Sequence, residues 1–409
     1  MENDLALLRH LAQRYMDVCC DPIQDHRRDL WRRHNSLQRT RPLIYVRAFA
    51  WHEIPESSCR CTDPLFRRWE DWFRSRLFWA SLQDDSIFEP WLPVPAVKIT
   101  PTQGLWGLPL HWTGRTQGCA GVCDPPIKTL EDLDRLARPH HRIDEAQTRE
   151  MVGRLQEAVG DLIPVVVDRS PAYLNFTGDI STLLAQLRGL EQIMWDMMDR
   201  PEWLQRLLAA MRDGILTTHR EAEEAGDWSR LSHYNQAMAY SLELADPAAT
   251  GVPTPRRQLW CFCASQEFAV VGPAKFEEFM LRYQIPIMRE FGLSAYGCCE
   301  DLTGKIDVLR QIPNLRRIAV SPMANVRRCA EQIRDDYVFS YRPSPSDMVG
   351  YSWDEARVRR ILRQDLAACS EYNCHADITL KDVETVQHEP ERLHRWLSVT
   401  RQTIEEVYG

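Results

Sequence analysis

Two adjacent cysteines followed by two carboxylates are the side chains of this chain best suited to chemistry. Cys298, Cys299, Glu300 and Asp301 end a short apolar segment, and helix-forming residues begin at Lys305. Thiolates and carboxylates in one place form a zinc-ligand set or a reactive site. Free cysteines are also common as small buried hydrophobic residues. The local sequence leaves both interpretations open.

Polar side chains follow other apolar segments as well, and three of them are predicted to be catalytic. Asp168 follows three valines and can act as a general acid or base, with Tyr173 as a donor to a developing anion. Glu267 is the third predicted catalytic residue, and Gln266 beside it is predicted to orient the substrate. The structural alternative at these positions is a helix cap, by Asp168 or by Ser265.

Four further residues are predicted to bind substrate with Gln266. Arg47, Trp51 and His52 follow the first apolar segment and suit an anionic and aromatic patch, although an ordinary polar loop is the alternative. Arg342 follows the seventh segment, where it is a candidate to hold an anion.

The elements that must position these residues are eight short segments separated by helical sequence, which includes predicted helices over 180–198 and 273–291. Most are near-continuous apolar runs, which is typical of parallel strands covered on both faces. We predict an α/β protein with a (β/α)8 TIM-type barrel over residues 42–409 and an N-terminal helical extension over 1–41. An open doubly wound sheet is the alternative, but no Gly-x-Gly-x-x-Gly follows the first segment and no Walker loop occurs. The predicted strands are 43–48, 96–100, 164–168, 259–264, 294–299, 317–321, 337–341 and 377–383.

Composition restricts the class of protein. The chain has 409 residues, 44% of them hydrophobic, and a net charge of −8, which argues against nucleic-acid binding. No run of eighteen apolar residues predicts a membrane span, and the first residues lack an export signal. We therefore expect a cytoplasmic protein whose 13 cysteines are reduced.

In layout, residues 40–409 resemble the uroporphyrinogen decarboxylase superfamily. A family strand ending in Gly-Ser-Gln leads into Pro-x-x-Phe-x-x-Phe, and the next commonly ends in His-x-Cys-Gly. The corresponding residues here are Ala264-Ser265-Gln266, then Pro273, Phe276 and Phe279, and later Tyr296-Gly297-Cys298-Cys299. Of the arginine-rich motif of true uroporphyrinogen decarboxylases only one arginine remains, at Arg47, and the Pro-Phe-Thr motif is lost. The resemblance is therefore nearer to the zinc-dependent methyltransferases that work with corrinoid proteins.

This resemblance implies a metal site and a reaction. Family zinc ligands are a His-x-Cys on one strand and a cysteine on the last; here Cys298 matches the first cysteine, Tyr296 replaces the histidine, and Glu384 lies near the last position. The implied metal candidates are Cys298 or Cys299, Glu384, and Glu300 as a further ligand or as a residue that supports the ligands. The implied function is a zinc-assisted methyltransferase or demethylase of a small substrate, with cobalamin carried by a separate corrinoid protein. A homodimer is also implied by the family.

Two alternatives to this function remain open on the sequence alone. The first is a metal-free decarboxylase or lyase in which Asp168 and Arg47 act on a carboxylate of a small molecule or a tetrapyrrole. The second is a non-catalytic protein that binds a corrinoid or tetrapyrrole at the mouth of the barrel.

Overall fold

A six-stranded parallel sheet forms the centre of the α/β fold. The computed structural model describes residues 2–47, 49–114, 121–171 and 179–409. In the sheet the strand order is β1-β10-β9-β8-β7-β6, while β2 pairs in parallel with β5 and β3 forms an antiparallel hairpin with β4. The strands are β1 (Leu43–Val46), β2 (Leu92–Pro95), β3 (His111–Thr113), β4 (Val122–Asp124), β5 (Val165–Asp168), β6 (Trp260–Cys263), β7 (Leu293–Tyr296), β8 (Leu315–Val320), β9 (Val338–Tyr341) and β10 (His375–Leu380).

Eight strands of the described chain are thus parallel and occur in the predicted order, an arrangement consistent with a TIM-type fold. β1, β6, β7 and β9 are buried along their whole length, as the continuous apolar segments predict. Between β1 and β2, and between β5 and β6, the described residues show no strand pairing. Closure into a barrel therefore stays a prediction.

On the edge of β1 that faces away from β10, side chains accept hydrogen bonds from the backbone N–H groups. The backbone N–H of Ile44 donates to Asp85 Oδ2 at 2.8 Å, and that of Val46 donates to Asp84 Oδ2 at 2.7 Å. Two consecutive carboxylates of the following loop therefore take the place of a neighbouring strand. This arrangement satisfies buried donors that would otherwise cost free energy.

The second strand was wrongly placed by sequence, at 96–100 instead of Leu92–Pro95. Prolines argue against a strand interior because they lack an N–H. In a parallel strand alternate N–H groups point to opposite sides, and those of Leu92 and Ala96 donate to β5. The nitrogen atoms of Pro93 and Pro95 point away from β5, so the missing N–H groups of these prolines cost no hydrogen bond to that strand.

Helices cover the sheet, and two predicted helices are interrupted. The predicted helix 180–198 breaks at Gly189, whose φ of +90° is left-handed. The predicted helix 273–291 contains a π-helical segment, Glu277–Leu281. None of the helices in the described ranges is long and apolar enough to cross a membrane. The helices are α1 (Glu2–Cys19), α2 (Ile23–Asn35), α3 (Pro64–Ser81), α4 (Glu145–Val159), α5 (Ser181–Arg188), α6 (Leu190–Asp199), α7 (Pro201–Glu224), α8 (Pro273–Phe276), α9 (Arg282–Met288), α10 (Ile306–Leu309), α11 (Val326–Ile333), α12 (Pro345–Met348), α13 (Glu355–Glu371) and α14 (Glu391–Tyr408).

The N-terminal helices pack onto the sheet through a buried polar network. His34 Nε2 on α2 lies 3.0 Å from Asp377 Oδ2 on β10, and both side chains are buried. Arg317 on β8 donates to the same carboxylate at 2.7 Å and to Asn35 Oδ1 at 2.8 Å. The extension predicted as residues 1–41 is thereby joined to the central sheet.

Candidate active site

A glycine turn ends β7 and presents both cysteines. Gly297 has a φ of +98°, and a Cβ there would lie 2.6 Å from Leu302 Cδ1 and 3.1 Å from Ala319 Cβ. Only glycine fits this backbone and this space. Because the strand ends at Tyr296, the alternation of side chains stops before the cysteines, and both can face the same neighbour.

That neighbour is Lys381, at the carboxyl end of β10. Its ammonium nitrogen donates to Cys298 Sγ at 3.2 Å and to Cys299 Sγ at 3.1 Å, and the two sulfur atoms are 3.7 Å apart. Asp382 lies 2.7 Å from the same nitrogen and accepts from the Cys299 thiol at 3.5 Å. The ends of β7 and β10 thus form one thiol–ammonium–carboxylate cluster.

Residues from other elements complete the surroundings of Cys298. Arg342, after β9, is buried and donates to the carbonyl oxygen of Cys298 at 2.8 Å. Gln236 Nε2 lies 3.7 Å from Cys298 Sγ, and Arg47, after β1, donates to the hydroxyl of Tyr234 at 3.1 Å. The carboxyl ends of β1, β7, β9 and β10 and the loop after α7 therefore supply one site, as expected for parallel strands.

One side of Cys298 is apolar. The residue is 6% exposed and packs with Phe262, Ala264 and Ala295, against which Tyr234 lies. These side chains exclude water from that side of the sulfur atom. Charges in such an environment interact more strongly than charges in bulk water.

The cysteines form a coupled pair that favours one thiolate. The hydrogen bond with Cys299 and the positive charges of Arg342 and Lys381 lower the pKa of the Cys298 thiol, although burial opposes this. The hydrogen bond with Cys298, burial and the charge of Cys298 raise the pKa of the Cys299 thiol. At neutral pH the pair therefore carries one negative charge, centred on Cys298.

Two residues that touch the sulfur atoms have strained backbones. Gln236 has a φ of +61° and Asp382 a φ of +56°. A residue with a side chain held in this region costs on the order of 1 kcal/mol or more, and such residues cluster at functional sites. Gln236 contacts Cys298, and Asp382 contacts Cys299. The strain therefore supports a functional role for the sulfur pair.

Glu300, predicted as a further metal ligand or as a residue that supports the ligands, holds two strand ends together, and its binding of a metal stays a prediction. One carboxylate oxygen accepts from the backbone N–H of Ser265 at 2.7 Å and the other from that of Cys298 at 2.7 Å. The side chain is buried, and burial raises its pKa. Both oxygens face backbone donors, so the carboxylate is engaged in positioning the cysteines.

The predicted zinc ligands do not assemble into a metal site. Glu384 is exposed, and the described ranges contain no group of three or more His, Cys, Asp or Glu side chains placed to hold a metal ion. Tyr296, in the place of the family histidine, is buried and donates to Gln284 Oε1 at 2.7 Å. The ammonium nitrogen of Lys381 lies 3.2 Å from Cys298 Sγ and 3.1 Å from Cys299 Sγ and supplies the positive charge beside the pair. This arrangement does not fit zinc, so no step is assigned to it, and zinc binding stays a prediction.

Asp168 lies in a separate ion-pair cluster at the end of β5. It accepts from the backbone N–H of Ser170 at 3.0 Å, and Arg169 beside it pairs with Glu145 at 2.6 Å. Lys98 donates to the carbonyl oxygen of Arg169 at 2.9 Å, and burial lowers the pKa of this lysine to about 8. The predicted catalytic role of Asp168 stays a prediction, in surroundings also suited to a structural role.

Glu267 lies near a buried carboxylate, Asp179, that the sequence did not single out. Glu267 accepts from Thr182 Oγ1 at 2.9 Å and from the hydroxyl of Ser181. Asp179 is buried nearby, and burial together with the charge of Glu267 raises its pKa to about 7. Gln266 is half-buried and begins a short 3-10 helix. The carboxylates form a second polar group, just after β6 and before α5.

The other predicted binding residues are dispersed. Trp51 Nε1 donates to Asp71 Oδ1 at 2.9 Å, whereas His52 is exposed and its Nε2 lies 3.9 Å from Glu53 Oε1. Tyr173 lies outside the described residues. The binding roles of Trp51 and His52 and the catalytic role of Tyr173 therefore stay predictions.

Together the fold and the site define an α/β protein with a six-stranded parallel sheet, consistent with a TIM-type fold, and a cysteine pair at the carboxyl ends of its strands. Among solved structures the chain is similar to a methyltransferase from Methanosarcina mazei, with a TM-score of 0.51 and 10% sequence identity. The match covers 94% of this chain and 99% of that one. At this identity the likeness shows the fold. No protein-family model and no curated protein matches the sequence.

Proposed function

We propose that the chain is an enzyme of the methyltransferase kind, with the Cys298 thiolate as the group that accepts the methyl. The observation that carries this proposal is the ammonium of Lys381, 3.2 Å from Cys298 Sγ at the carboxyl ends of the parallel strands. The fold it shares with a solved methyltransferase supports the same class of reaction.

The chemistry requires a strong nucleophile, and a thiolate is one. A sulfur lone pair of Cys298 attacks the methyl carbon of an electrophilic donor, and the bond between methyl and leaving group breaks with its electron pair on the leaving group. Lys381 and Arg342 hold the sulfur anionic until this step. The neutral thiol of Cys299 stays beside it.

The charges around the sulfur pair favour a donor or substrate that carries an anionic group. Three cations, Arg47, Arg342 and Lys381, surround the pair. Arg342 and Lys381 attract the Cys298 thiolate, and Arg47 and Lys381 attract the carboxylate of Asp382. Guanidinium groups bind carboxylates and phosphates with two parallel hydrogen bonds. We therefore propose that Arg47, which is half-buried, faces the anionic group.

The finer parts of the proposal come from the resemblance in sequence. They are a methyl donor carried on a separate corrinoid protein and a small-molecule substrate. The resemblance also implies zinc, which would keep a thiol deprotonated; the proposal does not include it, because Lys381 and Arg342 exert the same electrostatic effect on Cys298. Metal analysis of the purified chain and of Cys298→Ser tests zinc binding separately from methyl transfer.

Methylation of the cysteine pair tests the proposal directly. The full chain is incubated with methylcobalamin as the probe donor and digested with trypsin, and the peptide 290–305, which contains both cysteines, is analysed by mass spectrometry. We expect one added methyl group, assigned by fragmentation to Cys298. Cys299→Ser should keep it, while Cys298→Ser should lose it and Lys381→Met should slow its formation. An unmodified wild-type peptide would contradict the proposal.

A metal-free decarboxylase or lyase is the second candidate, since Arg47, Arg342 and Lys381 also suit a carboxylate substrate. It predicts that small dicarboxylates such as malonate raise the melting temperature of the wild type. The increase should be lost in Arg47→Met, whereas the exposed control Arg257→Met should keep it. This result together with an unmethylated peptide would favour the second candidate.

A further inference from the structure

Methyl transfer to Cys298 leaves the second sulfur atom of the site without a chemical role. Cys299 is exposed, whereas Cys298 is 6% exposed. Although the two residues are adjacent in sequence, the turn at Gly297 places their sulfur atoms 3.7 Å apart on the same side of the chain. Adjacent thiols in this arrangement can react with each other as well as with a substrate.

The same lysine activates both sulfur atoms. Lys381 Nζ lies 3.2 Å from Cys298 Sγ and 3.1 Å from Cys299 Sγ, so whichever sulfur is anionic is stabilised by a positive charge. Asp382 contacts both the lysine and the Cys299 thiol and can accept a proton there. Thiolates beside cations and near solvent are the cysteines that peroxides oxidise.

Other neighbouring cysteines of the described chain lack this combination. Cys261 and Cys263 on β6 are completely buried, and Cys369 is completely buried near Cys374. Burial also raises the pKa of Cys19, beside the exposed Cys20, and of both Cys59 and Cys61. Burial of this kind withholds a thiol from oxidants and disfavours its thiolate. The Cys298 thiolate, beside an ammonium group and next to the exposed sulfur of Cys299, is therefore where an oxidant would react first with a cysteine pair.

We propose that Cys298 and Cys299 are a peroxide-reactive dithiol that closes reversibly into a disulfide. The proposal concerns oxidation only and does not depend on methyl transfer. Because the disulfide consumes the Cys298 thiolate, the oxidised site can no longer act as a nucleophile.

The oxidation takes place in two balanced steps. The Cys298 thiolate attacks one oxygen of hydrogen peroxide, the O–O bond breaks, and hydroxide leaves and takes a proton from Lys381 to form water. The resulting sulfenic acid is attacked by the sulfur of Cys299; the S–S bond forms as the S–O bond breaks, and the hydroxyl leaves as water with the thiol proton. Because adjacent Cα atoms are only about 3.8 Å apart, the disulfide closes a strained eight-membered ring, and both side-chain rotation and adjustment of the backbone between the cysteines must bring the sulfur atoms to about 2.05 Å. The strain makes the bond easy to reduce.

The experiment follows the peptide 290–305 after treatment of the full chain with hydrogen peroxide and blocking of free thiols with iodoacetamide. We expect the wild-type peptide to lose two hydrogen atoms, to take up no blocking group, and to recover both thiols after reduction with dithiothreitol. In Cys299→Ser, the sulfenic acid of Cys298 should be trapped by dimedone. In Cys298→Ser no disulfide can close, so Cys299 should be recovered with a blocking group or as a dimedone adduct.

Cys20→Ser is the matched control, since Cys20 is an exposed cysteine in the N-terminal region. In this variant peroxide should oxidise Cys298 and Cys299 as it does in the wild type. Two results would overturn the proposal. One is a wild-type peptide that keeps two free thiols under conditions that oxidise Cys20. The other is a cross-link in which an oxygen atom joins the sulfur of Cys298 or Cys299 to the nitrogen of Lys381, because the oxidised sulfur would then have reacted with the lysine and not with the second cysteine. Because the wild-type peptide and Cys299→Ser report directly, misfolding of Cys298→Ser would not leave the question open.

Discussion

The ammonium nitrogen of Lys381 lies 3.2 Å from the sulfur atom of Cys298, although 83 positions separate the two residues in sequence. The contact exists because β7 and β10 are parallel strands of one sheet and both end at the same edge. It pairs a buried cation with a buried thiol, each of which would be costly to ionise alone. The two residues therefore support each other's charged form.

Loss of this cation should raise the pKa of Cys298. In Lys381→Met, we expect the thiolate of Cys298 to appear about one to three pH units higher than in the wild type, the usual effect of removing a close opposite charge. The ultraviolet absorbance of the thiolate, followed against pH and corrected with Cys298→Ser, measures the shift. Lys275→Met, which removes a half-exposed lysine far along the chain, should leave the curve unchanged. If the absorbance curve of Lys381→Met matched that of the wild type, the lowered pKa of Cys298 would be due to Arg342 rather than to Lys381.

The buried pair of Arg317 and Asp377 should dominate the stability of the sheet. Despite burial, Arg317 and His34 lower the pKa of Asp377 to about 2. Arg317→Met leaves this carboxylate buried without its cation and should lower the free energy of unfolding by about 3–5 kcal/mol. Arg310→Met breaks a more exposed pair with Asp336 and should cost less than about 1 kcal/mol. Urea unfolding measures both.

A double variant separates the charge from the packing in this network. Arg317→Met combined with Asp377→Asn removes the unpaired charge, so its loss of stability should be smaller than the sum of the two single losses. A loss in the double variant equal to the sum of the two single losses would mean that the two side chains act independently, which would contradict an ion pair at 2.7 Å.

Glu53 should make stability depend on pH in the acid range. Its carboxylate accepts from Thr385 Oγ1 at 2.6 Å and from the backbone N–H groups of Val386 and His388 at 2.8 and 3.0 Å. Burial raises the pKa of Glu53, but these hydrogen bonds outweigh it and lower the pKa from 4.5 to about 2. A lowered pKa in the folded state means that the contribution is complete above pH 4.5 and is lost as the pH falls toward 2.

The variant Glu53→Gln should therefore differ most from the wild type near neutral pH, by about 1–3 kcal/mol. The difference should shrink as the pH falls toward the folded pKa of about 2. Free energies of unfolding measured between neutral pH and about pH 2 give the profile. The control variant Glu56→Gln changes an exposed residue of the same loop, and its difference from the wild type should not change in this way. A difference that is independent of pH would show that the carboxylate charge is not involved.

Except for the second strand, the strand ends lie close to their predicted positions because apolar segments mark them, and Arg342 directly follows β9, where its predicted role in holding an anion stays a prediction. Glu384 came from the family's pattern of metal ligands, which gives no weight to a lysine. Lys381 directly follows β10 and was visible there. Gln236 was not visible, because it lies in a loop without periodicity and reaches Cys298 over 62 positions. Such contacts depend on tertiary packing and leave no local pattern.

The glycine that turns the chain after β7 gives the sharpest test of the site's geometry. Gly297→Ala would force a left-handed φ on alanine and place its Cβ 2.6 Å from Leu302 Cδ1. We expect a loss of about 2–5 kcal/mol in unfolding free energy, from backbone strain and overpacking together. The thiolate absorbance of Cys298 at neutral pH should fall as well, since the turn aligns the sulfur with Lys381.

Gly304→Ala is the matched control, because a Cβ there meets nothing within 4 Å and the residue lies in the same connection after β7. It should change the unfolding free energy by less than about 1 kcal/mol and leave the thiolate signal intact. If Gly297→Ala kept the thiolate signal while losing stability, Cys298 would owe its charge to Arg342 and Cys299 rather than to the alignment with Lys381. If it lost the signal but kept its stability, the turn would serve the sulfur pair alone.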